Sequence, residues 1–469
     1  MQDERPFIHL FRTGNGFYCY DVGTSSIIHV NEELYRSLKD GKTNGIPEIE
    51  GLKLRGYLQP RNNDITIEHQ ATPYVERYLE EGVQQLILQL TQNCNLRCKY
   101  CVYSGSYHNR THTNKRMKWE TAKEAIDFYY AHSHMTDMVR IGLYGGEPLL
   151  EFELIKRIVE YSEKKFLGKE LHINMTTNAT LLTPEIVSYL QEHDFDLLVS
   201  LDGPRNVQDK SRVFADGNRG TFDTIIGNLE MIKKEFPEYI SKISFNAVID
   251  TQNDFACSSD FFTYDFLKNA VVSSTSVSDR DANGDVSLKD SFYENYNYEL
   301  FKGYLSYIGR IDKEHVSKLV MAHKGFLMNM VHKHVTENYK RQGRCHPNGP
   351  CIAGANRLFV TVDGDFFPCE RVDETSIAYC IGNLKDGFNS EQVKVLLNTG
   401  HLCENECRNC WAMNLCGICA ADFSDGDKLS EEKKHEKCIF ARKEAEVHLK
   451  EYCTLREYGY YFDDLGGEV

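Results

Sequence analysis

The stretch "CNLRCKYC" sets Cys94, Cys98 and Cys101 on eight residues, with gaps of three and then two. Thiolates select zinc, iron–sulfur clusters or copper(I). Structural zinc sites close four ligands, commonly a C-x2-C pair joined by a second pair elsewhere. Three thiols on one short loop suit a different centre. They can hold three irons of a [4Fe–4S] cube and leave the fourth iron open to a substrate. A second array occupies the last quarter of the chain: Cys345, Cys351, Cys369, Cys407, Cys410, Cys416, Cys419 and Cys438. Twelve residues separate Cys351 from Gly364, and four more precede Cys369. C-x2-C-x5-C-x2-C then runs from Cys407 to Cys419, and Cys438 follows eighteen residues later. The spacing of this array alone permits zinc sites or iron–sulfur clusters. Cys19, Cys257, Cys380, Cys403 and Cys453 are left over. Buried, inert thiols are the default for them, with Cys403 near enough in sequence to compete as a ligand. His108 and His112 read as part of a solvated basic loop.

The thiols need a scaffold. Short apolar runs, "QLILQLTQ", "MVRIGLYGG", "LHINMTTN", "DLLVSLDG" and "KISFNAVID", each end in glycine or a polar residue and alternate with amphipathic segments. One such segment puts Ala122, Ala125, Ile126, Tyr129 and Tyr130 on one face. Another begins with Thr183 as cap and Pro184 at the first helical position. Alternation of this kind predicts a parallel sheet or a (β/α) barrel, with chemistry at the C-terminal strand ends. The first cysteine cluster follows the first strand at that end. Upstream, residues 7–30 read as three short strands with turn residues between them. A helix follows, capped by Asn31 and stopped at Gly41. Residues 251–340 are less regular, a polar stretch followed by helical material.

C-x3-C-x2-C with Tyr100 before its last cysteine resembles the radical S-adenosylmethionine (SAM) superfamily, over roughly residues 82–260. The resemblance implies that SAM chelates the open iron of a [4Fe–4S] cluster held by Cys94, Cys98 and Cys101. Cleavage of SAM then yields a 5′-deoxyadenosyl radical that abstracts hydrogen from a substrate. "YGGEP", with Gly145, Gly146 and Glu147, stands where the family binds the SAM amino group. Its glycines let backbone approach a ligand closely. "TTNAT" contains Thr177 and Asn178 and carries Ala179 in place of the usual glycine. "SLDGP" brings Ser200 and Asp202 to the ribose and carboxylate position. Arg212 is placed to pair the SAM carboxylate, and Val248 to touch adenine. The second array resembles the SPASM extension, which holds two auxiliary [4Fe–4S] clusters. That implies an inner set of Cys345, Cys351, Cys369 and Cys419 and an outer set of Cys407, Cys410, Cys416 and Cys438. The gap of two between Cys416 and Cys419 departs from the family's usual three. Glu370 stands where related enzymes carry a carboxylate that serves as a base.

The expected fold is α/β: a partial (β/α)6 TIM-like barrel at 81–300, a helical bridge at 301–344 and a SPASM domain at 345–450. A winged-helix-like domain at 1–80 precedes them and a tail at 451–469 follows. The N-terminal domain resembles the leader-recognition domain of enzymes that mature ribosomal peptides, where a leader adds a strand to a sheet edge. Its 12 acidic and 9 basic side chains argue against a DNA-binding winged helix. A formal net charge of −15 over 469 residues likewise disfavours nucleic acid. Neither a membrane-length apolar segment nor a secretory signal is expected, and sixteen cysteines then read as cytoplasmic metal ligands and not as disulfides. Together the parts resemble thioether-forming maturases of sactipeptides and ranthipeptides. The implied partners are a cysteine-rich precursor peptide and an external one-electron reductant such as flavodoxin or ferredoxin. A carbon–carbon crosslinking maturase, a formylglycine-forming sulfatase maturase and a non-catalytic iron–sulfur electron carrier are the rival readings.

Overall fold

Alternating side chains fold the first thirty residues into three antiparallel strands: β1 (Ile8–Arg12), β2 (Phe17–Asp21) and β3 (Ser26–Val30), adjacent in that order. In this computed structural model every residue is described except 1–4, 105, 106, 108, 109, 218, 278–288, 337–340, 342, 348, 349 and 463–469, and the side chains of 265, 266, 322–324, 326 and 327. Helix α1 (Glu32–Lys39) starts where Asn31 Oδ1 accepts the Leu34 N–H at 2.7 Å, the expected cap. It stops before Gly41, whose φ is +71°. Helix α2 (Pro47–Leu54) has proline at its first position. The two helices cover one face of the small sheet through Cys19, Val30, Leu34, Ile49 and Leu52.

Short β4 (Thr66–Ile67) and α3 (Val75–Glu81) lead into the main sheet. Six strands there run parallel and in chain order: β5 (Gln85–Thr91), β6 (Met138–Gly145), β7 (Glu170–Thr177), β8 (Asp196–Ser200), β9 (Ile243–Ile249) and β10 (Val272–Ser276). Helices α4 (Trp119–Ala131), α5 (Phe152–Lys165), α6 (Pro184–Glu192), α7 (Arg205–Ser211), α8 (Phe222–Glu235) and α9 (Phe255–Phe261) carry the chain back between strands. Thr183 Oγ1 caps α6 by accepting the Ile186 N–H at 3.3 Å. A parallel strand is buried on both faces, which is why its sequence reads as a continuous apolar run. The exception is β10, whose sequence VSSTS lies in the stretch expected to be irregular. Its hydroxyls have partners that make polarity tolerable there. Ser273 Oγ donates to the Phe245 carbonyl (3.2 Å) and Ser274 Oγ to the Leu319 carbonyl (2.7 Å).

The C-terminal third is built onto the same sheet. After α10 (Asp290–Tyr307) and α11 (Lys318–Thr336), β11 (Arg344–Cys345) pairs in parallel with β4. Strand β12 (Leu358–Val360) then joins the free edge of β5 in parallel. Strands β13 (Asp365–Phe367), β14 (Gly382–Asn383) and β15 (Gly387–Phe388) continue antiparallel, giving one open ten-stranded sheet. Helices α12 (Ser390–Leu397) and α13 (Glu404–Asn409), the hairpin β16 (Ser424–Asp425)–β17 (Lys428–Leu429) and the long α14 (Glu431–Glu457) complete the chain. The second face of the N-terminal sheet docks on this region. Phe11, Tyr18 and Tyr20 pack with Leu415, Leu449 and Tyr452, and the His9 ring stacks on Trp411 at 3.6 Å. No helix among the described residues is long and apolar enough to cross a membrane.

Asp21 pins the small sheet to the chain beyond α2. Its buried carboxylate accepts the N–H and hydroxyl of Thr24 (2.9 and 2.7 Å) and the N–H of Leu58 (2.7 Å). Asp21→Ala leaves the buried Leu58 N–H without a partner, at a cost of about 2 kcal/mol. Hydrogen exchange read by mass spectrometry should show lost protection around residues 52–60, with the main sheet unchanged. Equal protection in variant and parent would contradict this account.

Candidate active site

The first three cysteines sit on the loop that leaves β5, and main-chain contacts with the end of β6 fix that loop. The Gly146 N–H donates to the Thr91 carbonyl (2.8 Å) and the Glu147 N–H to the Asn93 carbonyl (3.0 Å). A Cβ on Gly145 would lie 2.2 Å from the Thr91 oxygen, and one on Gly146 would lie 2.1 Å from the Asn93 oxygen. Sequence reasoning reserved the space freed by these glycines for a ligand. The structure fills it with the cysteine loop's own carbonyls, because two chain segments cross there too closely for any side chain.

Burial raises all three thiols, Cys94 to about 12 and Cys98 to about 11, and Cys94 is pushed up further by the Glu147 carboxylate and, less, by its fellow cysteines. Cys94 Sγ accepts the Leu96 N–H at 3.3 Å and lies 3.8 Å from Asn178 Nδ2. Arg212 Nη1 reaches Cys98 Sγ at 3.9 Å. Buried thiols ionise when a cation compensates them, and a metal that binds them displaces their protons. Three such thiols on one loop, beside a buried guanidinium, fit an iron–sulfur cluster.

The other motifs converge on this loop from successive strand ends. Glu147 is fully buried. Its Oε1 accepts from Leu149 N–H (3.1 Å) and Thr177 Oγ1 (2.8 Å), and its Oε2 from Asn178 N–H (2.8 Å), which ties β6 to β7. Burial outweighs these bonds and lifts the carboxyl to about 7. Asn178 Nδ2 in turn donates to Asn95 Oδ1 at 2.8 Å. Ala179 has φ +60°, a left-handed conformation that explains why a glycine suits this place. At the end of β8, beside Ser200, the buried Asp202 accepts from the Tyr100 hydroxyl, from Arg212 Nε (3.1 Å) and from the Val248 N–H (3.0 Å). The Arg212 guanidinium also lies 5.3 Å from the centre of the Tyr100 ring. Residues from 94 to 248 thus meet around one loop.

The second array forms two groups. Cys351, Cys369 and Cys419 are near enough to act on one another electrostatically, and burial raises Cys351 and Cys369. Glu370 follows directly. Its Oε1 lies 3.3 Å from Arg357 Nη1 and 3.7 Å from Arg371 Nε. The fourth thiol expected in this set, Cys345, is packed in an apolar cluster with Ile65, Ile67, Cys403, Cys407 and Met413. Cys407, Cys410, Cys416 and Cys438, the four expected outer thiols, line one cavity of about 270 Å³ together with Lys434. Cys403 is buried with its Sγ 3.7 Å from that of Cys407.

Two features escaped the sequence reading. Glu374 is buried between the first cysteine loop and the Cys369 segment. It accepts from Gln89 Nε2 (3.0 Å), Gln92 Nε2 (3.2 Å) and the Tyr103 hydroxyl (2.9 Å), with Arg110 Nη1 at 4.0 Å. Its only signal was an acid four residues after Glu370, next to Asp373. Lys434 is the other, one basic residue among several at the start of α14. His112 is half-buried with its ring 5.8 Å from that of Tyr103, and His108 lies outside the described residues.

Gly146→Ala should separate the cysteine loop from β6. Iron held by Cys94, Cys98 and Cys101 is then lost while the second array keeps its own, as metal analysis and electron paramagnetic resonance (EPR) would show. Retention of all iron would argue against the clamp. Glu147 gives a pH prediction. Its folded-state value lies above its unfolded value of 4.5, so its contribution to stability is present below pH 4.5 and lost as pH rises through about 7. The stability difference between parent and Glu147→Gln should shrink by about 3 kcal/mol over that window. Urea unfolding of both proteins at several pH values measures it, and a constant difference would refute it.

Residues 88–255 match the radical SAM superfamily, and residues 351–411 match SPASM, an iron-sulfur cluster-binding domain. The chain is 34% identical over 166 residues to an uncharacterised protein of Methanocaldococcus jannaschii, covering 35% of this chain and 54% of that one, and so spans about half that relative's length. It is 25% identical over 346 residues to the cysteine-type anaerobic sulfatase-maturating enzyme of Clostridium novyi, covering 72% of this chain and 87% of the relative. The solved structure of native anSMEcpe with bound AdoMet superposes with a TM-score of 0.56 at 19% identity, over 77% of this chain and 98% of that one. A further structure of that protein, holding AdoMet and a peptide, superposes with a TM-score of 0.55 at 19% identity, over 77% of this chain and 98% of that one. These likenesses show a shared fold. S-adenosylmethionine and [4Fe–4S] clusters are the cofactors that the two domains imply. With its cysteine loop and glycine clamp at the ends of the parallel strands and a second thiol array after them, the chain carries a radical SAM domain over residues 88–255 and a SPASM iron–sulfur cluster-binding domain over residues 351–411.

Proposed function

We propose that this protein is a peptide-modifying enzyme that installs thioether crosslinks, from cysteine sulfur to carbon, in a cysteine-rich, ribosomally made precursor peptide. One observation carries the reading. Tyr103, two residues beyond Cys101, and Glu374, five beyond Cys369, meet at 2.9 Å inside the sheet. The loop after Cys101 and the segment after Cys369 are therefore neighbours, which supports a reading in which one bound peptide reaches both sites.

In this reading Cys94, Cys98 and Cys101 hold the SAM-binding cluster. Glu147, Thr177, Asn178, Ser200, Asp202, Arg212, Val248, Tyr100 and the backbone at Gly145 and Gly146 surround SAM. Cys351, Cys369 and Cys419 hold the inner auxiliary cluster, with Cys345, which packs beside Cys403 and Cys407 in this structure, as its fourth ligand, and Cys407, Cys410, Cys416 and Cys438 hold the outer one. SAM bound at the first cluster supplies a 5′-deoxyadenosyl radical that removes one hydrogen atom from a peptide carbon. A thiol of the same peptide closes the carbon–sulfur bond. Its proton would go to Glu370, and the cluster that Cys351, Cys369 and Cys419 would help to hold would supply the acceptor for the one electron released. An external one-electron reductant would recharge the cluster that Cys94, Cys98 and Cys101 would hold. The leader docks as an added strand on β3, which among the described residues pairs with β2 alone.

Likeness to the Clostridium novyi enzyme favours a second reading, oxidation of a protein cysteine to formylglycine. Anaerobic co-expression with the nearest cysteine-rich short open reading frame distinguishes them by mass spectrometry. Thioether formation predicts loss of two hydrogens per crosslink and fewer alkylatable thiols. Two hydrogens lost with every thiol still alkylatable would mean a carbon–carbon bond, and a hydrazide-reactive aldehyde would mean formylglycine. The combined variant Cys94→Ala, Cys98→Ala, Cys101→Ala should form no deoxyadenosine. Continued SAM cleavage by it would overturn the site.

A further inference from the structure

The outer thiol cavity contains a cation that no nearby carboxylate explains. Lys434 lies in the first turns of α14 and its side chain is almost wholly enclosed, at 2% exposure. Its Nζ donates to the Thr399 carbonyl at 2.6 Å and to Cys407 Sγ at 3.5 Å. Among the described residues no carboxylate forms an ion pair with it. A buried ammonium left alone is strongly disfavoured, so buried charges are paired with opposite ones. The groups that share its cavity are Cys407, Cys410, Cys416 and Cys438. Those thiols answer the lysine once they are thiolates on a metal cluster, whose four sulfur ligands make the whole site anionic. Glu406, His435 and Arg442 also line the cavity, but Arg442 is exposed and the side chains of Glu406 and His435 are 49% and 43% exposed, so water screens all three.

The inner thiol group has the opposite surroundings. Its adjoining charge is the Glu370 carboxylate, 16% exposed, and the arginines beside that carboxylate are 45% and 65% exposed. A fixed cation stabilises the reduced, more negative form of a cluster, whereas a fixed anion disfavours it. Building on the outer ligand set proposed above, we infer that Lys434 raises the reduction potential of the outer auxiliary cluster above that of the inner one. An electron released at the inner site then runs downhill to the outer site. Lys434 acts through the cluster's sulfur ligands and touches no substrate. It is a positioning residue for charge. Cys403, which does not line the cavity, places its thiol 3.7 Å from that of Cys407 and also meets Cys438 and Lys434, so it shares the lysine's charge with the outer thiols.

The test uses the full-length, cluster-loaded protein carrying the triple alanine replacement at Cys94, Cys98 and Cys101, so that two auxiliary signals remain. A redox titration followed by EPR reads two midpoints, the outer one higher. Lys434→Gln should lower one midpoint and leave the other in place, with iron and sulfide unchanged. At a fixed potential the reduced share of the affected cluster should fall by about tenfold. Lys434→Arg, which keeps the charge, should restore it. Unchanged midpoints in an iron-replete Gln variant would overturn the inference. If the Gln variant loses iron and the Arg variant keeps it, the charge requirement is upheld. If both lose iron, the lysine is a packing element and the inference fails. Full auxiliary iron in a Cys410→Ala, Cys416→Ala variant would instead sink the outer ligand assignment, whatever Lys434 does.

Discussion

Two main-chain hydrogen bonds, from Gly146 to Thr91 and from Glu147 to Asn93, hold the site in place. They join the ends of β5 and β6 where no side chain could fit between. Everything that converges on Cys94 is referred to that crossing. Glu147, oriented by its own backbone in the clamp, carries the constraint to β7 through Thr177 and Asn178. Asn178 returns it to the cysteine loop through Asn95. The loop is thus closed into a ring of short bonds whose members come from three strands. A flexible tether of cysteines could bind iron. A ring of this kind would also fix which way a cluster bound there faces.

Around that ring the fold arranges charge with some economy. Asp202 accepts from a phenol, a guanidinium and a backbone N–H, so the buried Arg212 is never without an anion. On the far side of the interior Glu374 gathers Gln89, Gln92 and Tyr103 and lies near Arg110. Polar groups inside a sheet are costly unless satisfied, and satisfied ones confer a single geometry. The main sheet continues from β5 into β12. The relation between the first cysteine loop and the Cys369 segment, which follows β13, is therefore set through strand hydrogen bonds.

Much of this was legible because it is periodic. Apolar runs with polar ends gave five of the six parallel strands, and Asn31 and Thr183 gave helix starts to the residue. The sixth strand was missed because VSSTS satisfies its hydroxyls through neighbours that are distant in sequence. Strand β12 was not foreseen either, since Leu358–Val360 is too short to register as a strand and gains meaning only from its partner β5. The grouping of the four outer thiols was legible as a spacing, whereas Cys345, expected with Cys351, Cys369 and Cys419, packs beside Cys403 and Cys407. The glycine clamp was legible as a motif but not as a cause. Which surface a glycine frees, and for what, is decided by a segment fifty residues away. Lys434 carried no signal at all, because a buried lysine and a solvated one look alike in a helix rich in charge.

Helix α14 links the two ends of the molecule. At its start Lys434 and Cys438 face the outer cavity. Near its end Leu449 and Tyr452 pack under the N-terminal sheet, and Glu457 accepts from the Tyr18 hydroxyl at 2.6 Å. An α-helix of 27 residues spans roughly 40 Å and resists bending over that distance. The N-terminal sheet is also stacked on Trp411, next to Cys410, and Ser25 accepts from Asn414 at 2.8 Å. Two contacts at different places on one sheet remove most of its freedom to pivot. On the function proposed above, a leader strand added at β3 would be held by the same frame that carries the outer thiols, and the length of chain between leader and core would then decide which residue arrives.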